Sequence, residues 1–230
     1  MHRFVVDATA TRGERFPLPV TIAHQVLGVL RLRDGGEIIL LDGVGGSLTC
    51  RLEGGDCVVL VRGIASGEPN HTVKVWQALL KGDHLEPVIR HGTELGIAGF
   101  GLFVSERCIA REMSPRRLER LRAVAREAAE QSERGIVPPV DEPVTFAEAI
   151  KAAAPGSVLL FERHEGMRLT ELDPPPGVFI GPEGGFSPGE VAAAERAGLA
   201  LAGLGPRILR SETVAVAAAA AILSRTGDFA

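Results

Sequence analysis

Two glycine- and proline-rich segments late in the chain carry residue types that chemistry can use. The first, Gly181-Pro182-Glu183-Gly184-Gly185-Phe186, directly follows the apolar run Val178 to Ile180. Its glycines let backbone approach a flat ligand closely and its proline restricts the bend. Glu183 could accept a proton or simply fix the loop. The second segment, Leu204-Gly205-Pro206-Arg207-Ile208-Leu209-Arg210-Ser211-Glu212-Thr213, alternates apolar residues with arginines just before an alanine-rich stretch. Ile208 and Leu209 could wall an adenine while backbone groups bond its edge, and Arg210 could then meet negative charge at a helix N-terminus. Neither segment has the G-x-G-x-x-G or G-x-x-x-x-G-K-S/T spacing, so neither a nicotinamide dinucleotide nor a P-loop nucleotide is indicated. A tight turn before a capped helix explains the first segment equally well, and a surface arginine explains Arg210.

Both segments follow short apolar runs that read as buried strands, and ligands of open α/β sheets bind at the carboxyl ends of strands. From Val73 onward the rhythm is strand, helix, strand, helix. Strands are expected at Val73–Leu80, Ile97–Val104, Ser157–Phe161, Val178–Ile180 and Leu199–Leu204. Helices are expected after Leu85, after the Ser114-Pro115 start, after the Thr145/Glu148 capping box, from Ser187 (with Pro188 and Glu190) to Gly198, and from Ser211. Before Gly63 the pattern differs: short apolar stretches punctuated by Asp34-Gly35-Gly36, Gly45-Gly46 and Gly54-Gly55 predict a small β-barrel or sandwich, interrupted by one helix over His24–Arg33. Gly63–Thr72 reads as a linker, so the expected division is 1–70 and 71–230.

Composition narrows the function classes. With 25 Lys and Arg against 29 Asp and Glu the chain has a formal charge of −4, so any nucleic-acid binding must come from local patches. One dense patch is Arg111, Arg116, Arg117, Arg120, Arg122 and Arg126, for which a solvated helix face is the favoured reading. Cys50, Cys57 and Cys108 fall in no ligand spacing, so neither a disulfide framework nor a metal site is expected and all three read as core residues. The run Val214–Leu223 is too short to span a membrane and no signal-like segment opens the chain, so a cytoplasmic location with no membrane partner is expected.

The two late segments together resemble the paired C-terminal signature of the RsmE family of ribosomal RNA methyltransferases, in the SPOUT superfamily. LLKGD at Leu79–Asp83, TELG at Thr93–Gly96, SER at Ser105–Arg107, EAAEQSERGIVP at Glu127–Pro138 and HQVLGVLR at His24–Arg31 match in order and spacing. Cys108 stands where the family often has serine, and Leu121 where it often has tryptophan. The resemblance implies an α/β trefoil-knotted SPOUT methyltransferase domain preceded by a PUA-like β-barrel that binds RNA, active as a homodimer. It also implies transfer of a methyl group from S-adenosylmethionine to N3 of a uridine in 16S ribosomal RNA, within the small ribosomal subunit. The cofactor site carried over is Phe161, Glu162, Gly181, Pro182, Glu183, Gly184, Gly185, Leu204, Gly205, Arg207, Ile208, Leu209 and Thr213. Arg210 is assigned to negative charge developing on uracil, with Glu183 and Glu212 as possible proton acceptors or loop-fixing groups. Arg3, His24, Arg31, Lys81, Arg107 and Arg134 are the expected RNA contacts. A bulky β-branched residue in place of Gly184 is expected to abolish cofactor binding while leaving the fold largely intact.

Overall fold

The computed structural model describes residues 1–162 and 166–229. They form two compact units, one of Met1–Glu68 with Ala129–Val137, the other of Pro69–Ala128 with the chain from Pro138. The sequence reading placed 129–137 inside a continuous second domain. The structure assigns it to the first unit because its backbone is bonded there: Gly45 N–H donates to Gly135 C=O, and Val137 N–H donates to Gly43 C=O. Arg134 completes the attachment. It is 2% exposed, and its guanidinium donates to Glu68 at 2.7 Å, whose other oxygen accepts from Ile136 N–H.

The first unit is built on a five-stranded sheet of β1 (His2–Val5), β2 (Arg15–Pro17), β3 (Glu37–Leu41), β4 (Gly46–Glu53) and β5 (Asp56–Ile64), in the order β1-β3-β4-β5-β2. β1 runs parallel to β3 and the other pairs are antiparallel. Alternation along β3 and β4 sends Ile38, Leu40, Leu48, Cys50 and Leu52 to one face, where they pack with Phe4, Phe16 and Cys57. All three cysteines are buried, as expected of core residues. The expected helix over 24–33 starts earlier and ends sooner. α1 (Val20–Ala23) continues into a wider turn over His24–Val29, closed by Leu30 N–H donating to Gln25 C=O. Ile22 and Val26, four residues apart, are buried in the core with Ala23 and Leu30 packed against it, whereas Leu27 and Val29 are exposed. One helical stripe is therefore all that this segment can bury.

The second unit holds a six-stranded, wholly parallel sheet: β6 (Lys74–Ala78), β7 (Gly99–Val104), β8 (Val144–Thr145), β9 (Val158–Leu160), β10 (Gly177–Ile180) and β11 (Ala200–Ala202), in the order β11-β9-β10-β6-β7-β8. Its central strands are buried along their length, as expected of a parallel sheet covered on both faces. The helices are α2 (Leu85–Leu95), α3 (Pro115–Gln131), α4 (Phe146–Ala152), α5 (Pro188–Arg196) and α6 (Ser211–Leu223). Their starts follow the sequence signals. Ser114 Oγ accepts from Arg117 N–H, and Thr145/Glu148 and Ser187/Glu190 form reciprocal capping boxes. Behind the sheet's carboxyl edge, Trp76 stacks on Phe179, and Phe103, Phe146 and Phe186 complete an aromatic cluster.

Replacing a buried cation leaves its carboxylate partner uncompensated. Arg134→Met is therefore expected to destabilise the chain by about 3 kcal/mol, measured by urea unfolding, although methionine fills most of the same volume.

Candidate active site

Four strands of the parallel sheet end at one cavity of about 440 Å³. Leu160 closes β9, Ile180 closes β10, the segment from Leu204 follows β11, and Lys81 and His84 follow β6. Leu160, Ile180, Leu209 and Val214 supply apolar wall, while Gly181, Gly185 and Gly205 leave backbone bare. Gly185 and Gly205 have φ of +68° and +100°, left-handed conformations that glycine adopts without strain. Charged groups ring the same space: Glu162, Glu183, Glu212, Lys81, Arg207 and Arg210. A cavity of this size with apolar walls and a few convergent polar groups suits one small, partly charged organic molecule.

The first loop is held from outside itself. Phe186 is 2% exposed and stacks on Phe103, so the sixth residue of the motif is a core anchor. Glu190 caps Ser187 N–H and also accepts from Ser105 Oγ at 3.1 Å and Glu106 N–H at 2.9 Å, joining this loop to the segment after β7. Arg107 donates to Gly184 C=O at 3.1 Å from the same segment. Glu183 Oε1 accepts from Lys81 N–H at 3.1 Å, which fastens the loop to the exit of β6. At the second loop, Arg210 is the N-cap of α6, gives no side-chain cap, and is an exposed residue of the cavity lining. Glu212, half-buried, lies 3.4 Å from His84 Nδ1.

The comparisons with known proteins agree with this geometry. The RNA methyltransferase domain family matches residues 67–223. The chain is 34% identical to the ribosomal RNA small subunit methyltransferase E of Synechocystis, over 95% of this chain and 74% of that protein. Against the protein of the same name from Mycobacterium tuberculosis it is 33% identical, over 95% and 90%. The chain belongs to the ribosomal RNA small subunit methyltransferase E family. Among solved structures, the family member from Neisseria gonorrhoeae bound to S-adenosylmethionine superposes with a TM-score of 0.90 at 32% identity over the whole of both chains. A structure from Legionella pneumophila in complex with the same cofactor gives 0.84 at 25% identity over 97% of each.

Within this family member, Phe161, Glu162, Gly181, Pro182, Glu183, Gly185, Leu204, Gly205, Arg207, Ile208 and Leu209 all line the cavity, together with Arg210 and Glu212. Two residues expected there do not. Gly184 turns toward Arg107, and Thr213 is exposed on α6, where its N–H donates to Arg210 C=O. Of the expected RNA contacts, Lys81 is on the cavity wall and Arg107 is exposed beside Gly184. His24 and Arg31 are exposed on the first unit, Arg31 in a left-handed conformation, and Arg3 pairs with Glu133. Arg134 is corrected to a structural role, because its guanidinium is buried against Glu68, out of reach of a phosphate. His84, Ser211 and Val214 line the cavity although sequence reasoning did not single them out. The signal for His84 was its place just beyond Leu79–Asp83, at the same strand edge as the two late loops.

A Cβ on Gly185 would stand 2.7 Å from Glu162 Oε1 on a left-handed backbone, whereas one on Gly184 would meet only Arg107, at 3.2 Å. Gly185→Ala should therefore weaken cofactor binding at least about tenfold, since the left-handed backbone alone costs an L-residue about 1–2 kcal/mol. Gly184→Ala should have the smaller effect, and calorimetric titration of both variants would reveal the reverse order if the assignment were mistaken.

Proposed function

We propose that this chain transfers a methyl group from S-adenosylmethionine to N3 of a uridine in 16S ribosomal RNA. The observation that carries the proposal is the cavity formed by the paired late loops at the carboxyl edge of the parallel sheet, in a chain of this family. The residues present fit the cofactor. Ile208 and Leu209 offer apolar surface to an adenine, Gly181, Gly185 and Gly205 give bare backbone for its polar edge, and Glu162, Glu183 and Glu212 suit its positive charges. When bound, the cofactor supplies a methyl group already activated on a cationic sulfur.

What remains for the protein is to orient the uracil and to offset the negative charge that appears as N3 loses its proton. Arg210 is the group suited to that charge, because it belongs to the cavity lining beside Leu209 and its backbone position at the start of α6 is fixed. Glu183 is engaged with Lys81 N–H, which favours a loop-fixing role for it and leaves Glu212, facing His84, as the better placed proton acceptor. Lys81 and Arg107 would hold phosphates near the cavity, and Arg3, His24 and Arg31 would serve the first unit, read as a PUA-like RNA-binding barrel.

Further features of the reading have their own support. A trefoil knot agrees with the path after β11: Gly203 is bridged to Arg168 in the β9–β10 connection, yet the next helix begins with Ser211 bonded to Gly181 C=O at the end of β10. A homodimer agrees with the partly exposed small residues Ala217, Ala220 and Ala221 on α6. No helix among the described residues is long and apolar enough to cross a membrane, and a cytoplasmic site of action with the small ribosomal subunit goes with the proposed substrate.

Two measurements test the reading. Nucleoside mass spectrometry of 16S RNA from a gene knockout should show 3-methyluridine lost and restored on complementation; its persistence would refute the substrate. Arg210→Ala should slow single-turnover methylation roughly a hundredfold, about 3 kcal/mol of transition-state stabilisation, with cofactor affinity unchanged. A collapse of cofactor affinity instead would move Arg210 to the cofactor site.

A further inference from the structure

Ser211 opens α6, where a serine hydroxyl ordinarily caps its own helix. Here the N-cap is Arg210, and no side chain caps α6. The Ser211 hydroxyl instead donates to Gly181 C=O at 2.6 Å, and Gln77 Nε2 donates to Ser211 Oγ at 2.9 Å and to Ala78 C=O at 3.2 Å. The direction of this chain is fixed by chemistry. A carbonyl can only accept, so the hydroxyl proton is committed to Gly181, and only a lone pair of Oγ is left for Gln77. That requirement turns the amide nitrogen of Gln77 toward Ser211 and strands its oxygen.

The stranded oxygen is costly. Gln77 is fully buried in β6, and among the described residues its Oε1 is the one buried side-chain polar atom without a hydrogen-bond partner. A buried amide oxygen left unpaired opposes folding, and an apolar side chain of the same length would avoid the penalty. A polar group retained at such a position has to contribute through what its other end does. Gln77 is in register with Ile180, which lines the cavity immediately before Gly181. Its amide therefore links three segments at one point: the end of β6, the first residue of the first loop, and the first helical residue after the second loop.

We infer that Gln77 is a positioning residue, acting through Ser211 to hold the two cavity loops in the register that binds the cofactor. The inference deepens the proposed function and rests on its reading of the cavity. Gln77 does not itself line the cavity, so its effect on a ligand can only be indirect.

The test compares Gln77→Met, Ser211→Ala and Ser211→Thr in the full chain, using S-adenosylmethionine titration calorimetry, thermal unfolding, and hydrogen exchange of residues 181–186 without ligand. Gln77→Met should melt close to the wild-type temperature, because removing the unpaired oxygen offsets the loss of the amide's bonds to Ser211 Oγ and Ala78 C=O, yet bind cofactor at least about fivefold more weakly and exchange faster over 181–186. Ser211→Ala should weaken binding about as much or more, the double variant should be little worse than Ser211→Ala, and Ser211→Thr, which keeps the hydroxyl, should recover most of the affinity. Loss of stability and affinity together in Gln77→Met would make it an ordinary packing residue and overturn the inference. So would unchanged exchange over 181–186. If the wild-type chain binds no S-adenosylmethionine, the proposed function fails, and exchange over 181–186 still decides whether the relay holds the loop.

Discussion

A carboxylate inside a protein persists only if its oxygens are hydrogen-bonded, and Glu190 meets that demand with donors from two separate stretches of chain. Oε2 accepts from Ser187 N–H and Ser105 Oγ, and Oε1 accepts from Glu106 N–H. The capping box that starts α5 is thus also the join between the first cavity loop and the exit of β7. With Phe186 stacked into the aromatic cluster and Arg107 bonded to Gly184 C=O, the second half of the loop is fixed by groups outside the cavity. Its glycines can then remain unobstructed without leaving the loop disordered, which is the condition for preorganised binding.

The arginine-rich α3 uses its charge in the same way. Arg117 donates to the carbonyls of Leu80 and Gly82, fixing the turn that carries Lys81 to the cavity. Arg120 bonds Glu86, and that contact holds the Glu86 carboxyl below its usual range. Arg122 bonds Val140 C=O and Glu119, and Arg111 bonds Glu106 C=O. These four cations are engaged with backbone and side-chain oxygens of the protein. The cavity wall carries three other cations, Lys81, Arg207 and Arg210.

The first unit shows how a short segment far along the chain can complete a small core. Residues 129–137 give Gly43 and Gly45 backbone partners, while Arg134 buries its charge against Glu68. In the sequence this segment is the continuation of an amphipathic helix followed by the motif fragment SERGIVP, and the family resemblance makes its arginine an RNA contact. The burial of that arginine depends on residue 68, more than sixty positions earlier, and no local pattern records the pairing.

What the sequence determined by itself were features with local causes. Helix starts at Ser114, Thr145 and Ser187 follow from side chains bonding the nearest free N–H groups, and parallel strands follow from unbroken apolar runs. The two late loops could be located because glycine, proline and arginine cluster right after those strands, and their order matched a family. Tertiary structure alone decided what depends on groups brought together from distant positions. It chose Gly185 over Gly184 as the loop glycine less tolerant of a side chain, since Gly185 alone of the two holds a left-handed backbone, at φ +68°, and faces the Glu162 carboxylate from another strand's exit. It moved Arg134 from candidate ligand to buried counter-ion, and it set Gln77 and Ser211 in one chain of hydrogen bonds across 134 residues. Spacing records contacts within a few residues, whereas hydrogen bonds between strand ends are fixed only once the sheet has ordered them.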